Sequence, residues 1–182
     1  MKYATIKKHD IANGPGVRVS IFVSGCNHHC QGCFNEEAWD FNYGKVFTEK
    51  TIDEIIEALK PDYITGLSLL GGEPFEFINQ QGLLPLLKKV KETYNNKTIW
   101  AYSGFLYEDL LKMKYDETKE ILDLIDVLVD GKFELTLKDP MLYFRGSSNQ
   151  RIIDMNKTRE NKKIILHEKN KRRNNNEQCI TN

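Results

Sequence analysis

Four short apolar segments of the chain each run directly into residues with unusual chemistry. In the first, residues 17–24 (VRVSIFVS), apolar and polar side chains alternate, which is typical of a β-strand. Because helical stretches separate the four segments, we expect parallel strands whose carboxyl ends meet at one edge of a sheet, where α/β proteins bind ligands. The segments run into Cys26, Gly71-Gly72, Ser103-Gly104 and Asp130-Gly131.

The stretches between these segments have helical patterns. Residues 48–61 carry apolar side chains at helical spacing, with Thr51 and Glu54 in the pattern of a capping box. Apolar residues between 83 and 94 predict a second helix, and residues 106–124 predict a helical region in two pieces. Four strands are too few for an eight-stranded barrel, so we expect an α/β fold, a partial and open βα barrel with a mostly parallel sheet.

The bulk charge and hydropathy exclude several function classes. The 26 basic and 26 acidic side chains cancel, so no general attraction to nucleic acid or to a membrane surface is predicted. No apolar run reaches the ~18 residues of a membrane span, and the opening residues (MKYATIKKHD) lack the apolar stretch of a secretory signal. We therefore expect a cytoplasmic protein whose thiols stay reduced.

The two ends of the chain differ in composition, which predicts a functional domain at residues 1–155 and a basic, Asn-rich tail at residues 156–182. From Lys157 onward, eight Lys and Arg side chains stand against three Glu. Such composition buries little apolar surface, so the tail is expected to stay disordered, with a basic contact patch for an acidic partner or nucleic acid as the alternative. Cys179, inside the tail, is interpreted as an incidental free thiol.

The segment SGCNHHCQGCFN, residues 24–35, holds three of the four cysteines within eight positions. A disulfide between two of them leaves the third unpaired and is disfavoured in a reducing compartment. A zinc site is possible if His28 or His29 joins the three thiolates, although no second pair of ligands follows. A four-iron cluster normally takes four cysteines, so three of them leave one iron open, as in catalytic metal sites.

Five blocks of the sequence carry a resemblance to a known family. The spacing CxxxCxxC after the first strand, with GGEP after the second, resembles the radical S-adenosylmethionine superfamily. Within it, the chain is similar to the activating proteins of anaerobic, class III, ribonucleoside-triphosphate reductases, and the resemblance covers residues 12–151. Ser103-Gly104-Phe105 stands where the family usually has TGY, and Gly32 stands where the wider superfamily often has an aromatic residue. The blocks are NGPGVRVSIFVSGCNHHCQGCFN, GLSLLGGEP, IWAYSG, DVLVDGKF and RGSSNQR.

The resemblance implies a role for each matching residue in a radical S-adenosylmethionine activase domain. The predicted ligands of a 4Fe-4S cluster are Cys26, Cys30 and Cys33, and S-adenosylmethionine is expected to bind at the open iron. Gly71 and Gly72 let a backbone edge approach the cofactor's amino group, beside Glu73, or else they form only a tight turn. The expected adenosine side is Gly32, Cys33 and Phe34; Asp130 is expected at the ribose or a cation, or bonded to local N–H groups.

The activity that this resemblance implies is the reductive cleavage of S-adenosylmethionine. The resulting 5′-deoxyadenosyl radical is expected to generate a glycyl radical on the large subunit of the reductase, with a flavodoxin or ferredoxin as electron donor. The polar residues 145–151 are expected either to contact the reductase or to form a capped turn. Two other functions stay open: an activase for a different glycyl-radical enzyme, and a zinc-stabilised module that binds nucleic acid through its basic tail.

Overall fold

A computed structural model describes residues 1–173 as a mixed α/β fold built on one sheet. The helices are α1 (Glu49–Leu59), α2 (Phe77–Thr93), α3 (Tyr107–Leu110), α4 (Asp116–Leu124) and α5 (Met155–Asn161). The strands are β1 (Lys2–Asp10), β2 (Val17–Val23), β3 (Lys45–Val46), β4 (Ile64–Gly71), β5 (Thr98–Tyr102), β6 (Val127–Asp130) and β7 (Arg151–Asp154).

The seven strands lie in the order β3-β1-β2-β4-β5-β6-β7, and the sheet is open. The four central strands, β2, β4, β5 and β6, are parallel, which confirms the four predicted strands and their direction. Strands β1, β3 and β7 pair antiparallel at the two edges and were not predicted. Strand β1 contains three lysines, and β3 and β7 are only two and four residues long. None of the three strands therefore has the apolar run of a buried strand.

The two faces of the sheet carry different cores. On β2, Val19, Ile21 and Val23 point towards the helices and belong to the large core. On β5, Trp100 belongs to a second cluster with Val127, Val129 and Ile152. The alternation that identified β2 in the sequence thus separates two packed faces, as the two-residue period of a strand requires.

Helix α1 begins one turn earlier than its predicted cap implied. Thr48 is the N-cap, and its side-chain oxygen accepts a hydrogen bond from the backbone N–H of Thr51. The Thr51 hydroxyl oxygen in turn accepts a hydrogen bond from the N–H of Thr48, so the capping box joins Thr48 and Thr51 and not Thr51 and Glu54. The two-piece helical region predicted for residues 106–124 is confirmed as α3 and α4.

The segment predicted to be a disordered tail is folded from residue 156 to residue 173. Helix α5 is capped by the Asp154 carboxylate, which accepts a hydrogen bond from the N–H of Lys157. Beyond it, Leu166 forms an antiparallel bridge with Ile153, and Arg172 forms one with Leu142. Local caps and bridges therefore order a stretch whose composition alone predicted none; residues 174–182, with Cys179, lie outside the described part. Within residues 1–173, no helix has the length and apolar character needed to cross a bilayer.

Candidate cofactor site

The carboxyl ends of the four parallel strands surround one cavity of about 440 Å³. Every segment that ends at this edge of the sheet contributes to its wall, as the sequence predicted for strand ends in a parallel sheet. Of the predicted site residues, the wall contains Cys26, Cys30, Cys33, Gly32, Phe34, Gly71, Gly72 and Glu73.

The three cysteines are free thiols that line this cavity. Cys26 is buried, whereas Cys30 and Cys33 are partly exposed. The backbone fixes their segment: the N–H of Cys26 donates to the carbonyl of Trp39, and the N–H of Cys33 donates to the carbonyl of Cys30. The sequence alternative of a disulfide does not describe this arrangement.

Burial disfavours the thiolate form of two of these cysteines. Burial raises the pKa of Cys26 to about 11, although the backbone N–H groups of His28 and His29 act to lower it. Burial also raises the pKa of Cys30. Binding iron as thiolates therefore requires these groups to release protons, which is usual for metal sites built on cysteine. Three soft sulfur ligands on one loop fit an iron–sulfur cluster.

Both histidines of the cysteine segment have partners other than a metal. The Nε2 atom of His28 lies 2.9 Å from a carboxylate oxygen of Glu73, and its ring packs edge-on against Phe105. The ring of His29 stacks on Trp39, with ring centroids 4.7 Å apart. Among residues 1–173, no three His, Cys, Asp or Glu side chains are placed to hold a single metal ion, the arrangement that the zinc alternative needs.

Gly71 and Gly72 are required by close packing between the end of β4 and the cysteine segment. A Cβ atom on Gly72 would lie 2.6 Å from the carbonyl oxygen of Gly25 and 2.8 Å from that of Ala38. Gly71 has a φ of +111°, which side chains rarely adopt. The glycines therefore bring the GGEP segment against the backbone that leads into Cys26.

The Glu73 side chain is 1% exposed and has four hydrogen-bond partners. Its Oε2 atom accepts hydrogen bonds from His28 Nε2 at 2.9 Å and from the Gly104 N–H at 2.7 Å. Its Oε1 atom accepts from the Ser103 hydroxyl at 3.0 Å and from the Phe75 N–H at 2.8 Å. One carboxylate thus joins the cysteine segment to the ends of β4 and β5.

Asp130 lies outside the wall of the cavity, whereas its neighbour Gly131 belongs to it. The Asp130 carboxylate is buried and accepts hydrogen bonds from the guanidinium of Arg151 and from the N–H of Tyr107. Arg151 also donates two hydrogen bonds to Glu108, and the two carboxylates raise its pKa. Neither donor is local in sequence, and the role of Asp130 at the ribose or a cation stays a prediction.

Part of the wall comes from residues to which the sequence assigned no cofactor role. Residues 145–151 form the predicted capped turn, because the Gln150 side chain accepts hydrogen bonds from the N–H groups of Gly146 and Ser147. The same turn also borders the cavity. This position depends on how the chain folds back onto the sheet, and no spacing of residues in the sequence predicts it. The additional wall residues include Trp39, Tyr102, Phe133, Lys138, Phe144, Arg145 and Gln150.

Comparison with known proteins places this geometry in a class. A family described as a 4Fe-4S single cluster domain matches residues 12–153, which span the cysteine segment and all four parallel strands. The free thiols around the cavity and this match define an iron–sulfur protein of the single-cluster type.

Individual relatives narrow the class to one family. A protein of Enterobacteria phage T4 is 40% identical over 152 residues, 84% of this chain and 93% of its own length. Relatives from Pasteurella multocida and Escherichia coli K12 are 43% and 42% identical, each over 82% of this chain and over 95% and 96% of their own lengths. All three are named anaerobic ribonucleoside-triphosphate reductase-activating protein. The chain belongs to this family, which confirms the resemblance seen in the sequence.

Proposed function

We propose that this protein activates an anaerobic ribonucleoside-triphosphate reductase by generating a glycyl radical on its large subunit. The observation that carries the proposal is the meeting of three free thiols and a glycine-lined backbone edge in one cavity, within a chain whose relatives bear the activating protein's name. The open sheet is then the partial βα barrel of a radical S-adenosylmethionine enzyme, and the domain predicted at residues 1–155 is extended by α5 and the bridges of residues 156–173.

Cys26, Cys30 and Cys33 are the proposed ligands of a 4Fe-4S cluster. When bound, the cluster supplies the electron that cleaves a carbon–sulfur bond of S-adenosylmethionine, giving methionine and a 5′-deoxyadenosyl radical. The chain would contribute position and shielding: Cys26 would hold the cluster from a buried position, and Cys30 and Cys33 would hold it from partly exposed positions. Three protein ligands leave one coordination position for the substrate.

The same cavity is the proposed binding site of S-adenosylmethionine. Its volume of about 440 Å³ falls within the ~300–1,000 Å³ typical of small-molecule sites. Gly71 and Gly72 expose backbone beside the cysteine segment, where the methionyl end is expected, and Gly32, Cys33 and Phe34 border the expected adenosine side. Glu73 borders the same space, with its carboxylate committed to neighbouring protein groups.

A protein substrate suits the open side of this site. Phe34 is 85% exposed at the edge of the cavity, and Leu135, next to Gly32, is 44% exposed. An apolar rim of this kind is typical of surfaces that receive another protein. The 5′-deoxyadenosyl radical then takes one hydrogen atom from a glycine of the reductase, giving 5′-deoxyadenosine and the glycyl radical. A flavodoxin or ferredoxin of the cytoplasm is the proposed source of the electron.

The experiment combines the anaerobically reconstituted protein with the large reductase subunit, S-adenosylmethionine and a reductant. We expect a glycyl-radical signal in electron paramagnetic resonance, with one methionine and one 5′-deoxyadenosine per radical formed. The matched control is Cys33→Ser, which keeps the size of the side chain and removes a cluster ligand. Cofactor cleavage without any glycyl signal on the reductase contradicts the proposed substrate, and a colourless protein that holds zinc contradicts the proposed chemistry.

A further inference from the structure

We propose that a basic surface beside the cavity is the docking site of an acidic electron-transfer protein. We name this surface the basic rim, and it consists of residues 131–150 and 169–173. The proposal rests on the proposed function, because a protein that cleaves its cofactor reductively must receive an electron from a donor. It adds the face of the protein that the donor meets and the charge by which the donor is recognised.

The two stretches of the basic rim are joined by direct contacts. Arg172 forms an antiparallel bridge with Leu142, and its Nε atom lies 2.9 Å from a carboxylate oxygen of Asp139. The backbone N–H of Arg173 donates a hydrogen bond to the carbonyl of Met141 at 2.7 Å. The two stretches therefore form one surface, and it borders the cavity. Its basic members in the cavity wall are Lys138, Arg145 and Arg173.

The basic rim also reaches the cysteine segment. The side chain of Leu135 packs on Gly32, where a Cβ atom would lie 3.1 Å from a Leu135 methyl carbon. Lys132 and Lys138 lie three residues before and three residues after Leu135 in the chain. A protein bound to the basic rim is therefore next to the segment that carries the three cysteines.

The basic rim carries positive charge that the rest of the chain does not neutralise. Its two stretches hold seven Lys and Arg side chains against two acidic ones, in a chain whose total charge is zero. One ion pair, between Arg172 and Asp139, cancels one of these charges. Among residues 1–173, no ion pair includes Lys132, Lys138 or Lys171, and all three side chains are exposed.

Two further cations of the basic rim are held in place by neutral groups. The Nζ atom of Lys169 lies 5.0 Å from the centre of the Tyr143 ring, an attraction that leaves the charge of the lysine intact. The Arg145 guanidinium donates a hydrogen bond to the side-chain oxygen of Asn170 at 2.6 Å. Cations that are already fixed lose less conformational freedom when a partner binds, so they favour docking.

The stretch that follows the third cysteine has the opposite charge. Residues 34–40 contain Glu36, Glu37 and Asp40 and no basic side chain, and two of their other members, Phe34 and Trp39, line the cavity. The cavity is thus bordered by a negative stretch and by the positive basic rim. Such a difference orients an approaching protein, because its acidic face is attracted to the basic rim and repelled by residues 34–40.

Apolar side chains within the basic rim favour a protein as the partner. Leu135 and Leu137 are 44% and 39% exposed, between Lys132 and Lys138 in the chain. Exposed apolar groups among charges are typical of protein interfaces, whereas the phosphate backbone of a nucleic acid has no apolar groups to place against them. The partner that fits is a protein with carboxylates around its redox centre.

The proposed transfer moves one electron and no atom. A reduced donor on the basic rim gives one electron to the 4Fe-4S cluster that the three cysteines are proposed to hold. The donor is oxidised by one electron and the cluster is reduced by one, and no bond forms or breaks. The chain contributes the position of the donor, next to the partly exposed Cys30 and Cys33.

The test uses a flavodoxin with an acidic surface around its flavin as the probe. Lys132→Glu combined with Lys171→Glu reverses two charges of the basic rim at exposed positions outside the cavity wall. The matched control, Lys50→Glu combined with Lys119→Glu, makes the same change of net charge at exposed lysines of α1 and α4, also outside the wall. If the first pair does not fold, the same two lysines are changed to Gln.

Two measurements separate this proposal from the proposed function. Calorimetry with the cluster-free protein measures flavodoxin binding alone, and the dissociation constant should rise about 10-fold or more in the basic-rim pair and less than about 2-fold in the control pair. Stopped-flow absorption of the reconstituted protein measures cluster reduction by reduced flavodoxin, which should slow to a similar extent in the basic-rim pair. In the unchanged protein this rate should fall as salt rises from ~0.05 to ~0.5 M. Photoreduced deazaflavin, a small neutral donor, should reduce all variants equally.

The outcomes are distinct. Weaker flavodoxin binding and slower reduction in the basic-rim pair alone support the proposal. It is overturned if the unchanged protein does not bind flavodoxin, or if the basic-rim and control pairs bind it equally. It is also overturned if the basic-rim pair keeps flavodoxin and loses the large reductase subunit, or if a single-stranded oligonucleotide binds more tightly than flavodoxin at the same salt. A chain that never binds a 4Fe-4S cluster overturns the proposed function, whereas calorimetry still decides whether the basic rim binds the donor.

Discussion

Two buried charged side chains stand at opposite ends of the same parallel strands, and they organise the protein differently. Glu73, at the carboxyl ends, binds loops that border the cavity. Arg18, near the start of β2, is fully buried and donates to neutral oxygens of β4 and β5: the Ser68 hydroxyl at 2.7 Å, the Leu67 carbonyl at 2.8 Å and the Thr98 carbonyl at 2.9 Å.

The surroundings of Arg18 show that this side chain stabilises the sheet. Its guanidinium lies 5.7 Å from the centre of the Trp100 ring, and burial lowers its pKa to about 10. All its hydrogen-bond partners belong to strands of the sheet. Arg18 therefore holds neighbouring strands together and does not position a loop. The two ends of the strands therefore have different roles. The buried charge at one end stabilises the sheet, and the buried charge at the other end positions the segments of a site. Substitution of Arg18 should therefore lower stability without impairing cofactor binding.

The largest effect is expected at the cavity end. Cys30→Ser should abolish the iron–sulfur absorption of the reconstituted protein, because a serine hydroxyl does not replace the thiolate ligand. The cluster-free variant should unfold within ~0.5 kcal/mol of the unchanged protein, since Cys30 is partly exposed. Iron analysis and urea unfolding measure the two quantities, and a variant that keeps a full cluster contradicts the ligand assignment.

The next effect is expected at the opposite end of the strands. Arg18→Met should lower the free energy of unfolding by about 3 kcal/mol, because the carbonyls of Leu67 and Thr98 lose their buried donor. Urea denaturation measures this loss, and Lys89→Met, which removes an exposed ion pair with Asp53, is a control expected to show no measurable change. A stable Arg18 variant with impaired cluster binding contradicts the division between the two ends.

A smaller effect is expected where the backbone approaches the cysteine segment. Gly72→Ala should cost about 2 kcal/mol, because its Cβ meets the carbonyls of Gly25 and Ala38 and pushes the segment that leads to Cys26. Gly131→Ala is the matched control: it has a φ of +98°, but its Cβ finds no atom closer than 3.6 Å. We expect the control to cost about 1 kcal/mol through backbone strain and to leave cluster binding intact.

The smallest effect is expected at the Glu108–Arg151 ion pair, which is at the carboxyl edge of the sheet but outside the cavity wall. Arg151 lowers the pKa of Glu108 to about 2, so the pair contributes stability above the ordinary value of 4.5 and loses it as the pH falls towards 2. Glu108 is about half exposed, so Glu108→Gln should cost less than ~1 kcal/mol. The difference between the two proteins, measured by urea unfolding, should narrow as the pH falls; a difference that grows in acid contradicts the assignment.

The central strands and the cavity rim were predictable because their signals are local. Strands β2, β4, β5 and β6 are buried on both faces and are apolar in sequence, and their direction follows from the helices between them. The meeting of the cysteine segment with Gly71 and Gly72 follows from that direction. The antiparallel strand β1 was not predicted, because its solvent-facing lysines interrupt the alternation of apolar and polar side chains.

The remaining features depend on contacts between distant residues. Asp130 ends β6 at the edge of the sheet where the cavity lies. Its carboxylate nevertheless accepts a hydrogen bond from Arg151 on β7 and lies outside the cavity wall. The position of Glu73 beside the cavity follows from its neighbours in the sequence, Gly71 and Gly72. Its hydrogen bonds to His28 and Ser103, however, join residues 45 and 30 positions apart. No periodicity in a single sequence reveals such partners. The order of residues 156–173 likewise comes from bridges to β7 and to Leu142.

The most direct test of the account is the electron paramagnetic resonance spectrum of the reduced, reconstituted protein before and after S-adenosylmethionine is added. If three thiolates hold the cluster and the substrate occupies the remaining position in the same cavity, the spectrum of the reduced cluster changes on addition, and Gly72→Ala weakens that response. A spectrum that is the same with and without S-adenosylmethionine contradicts the shared site.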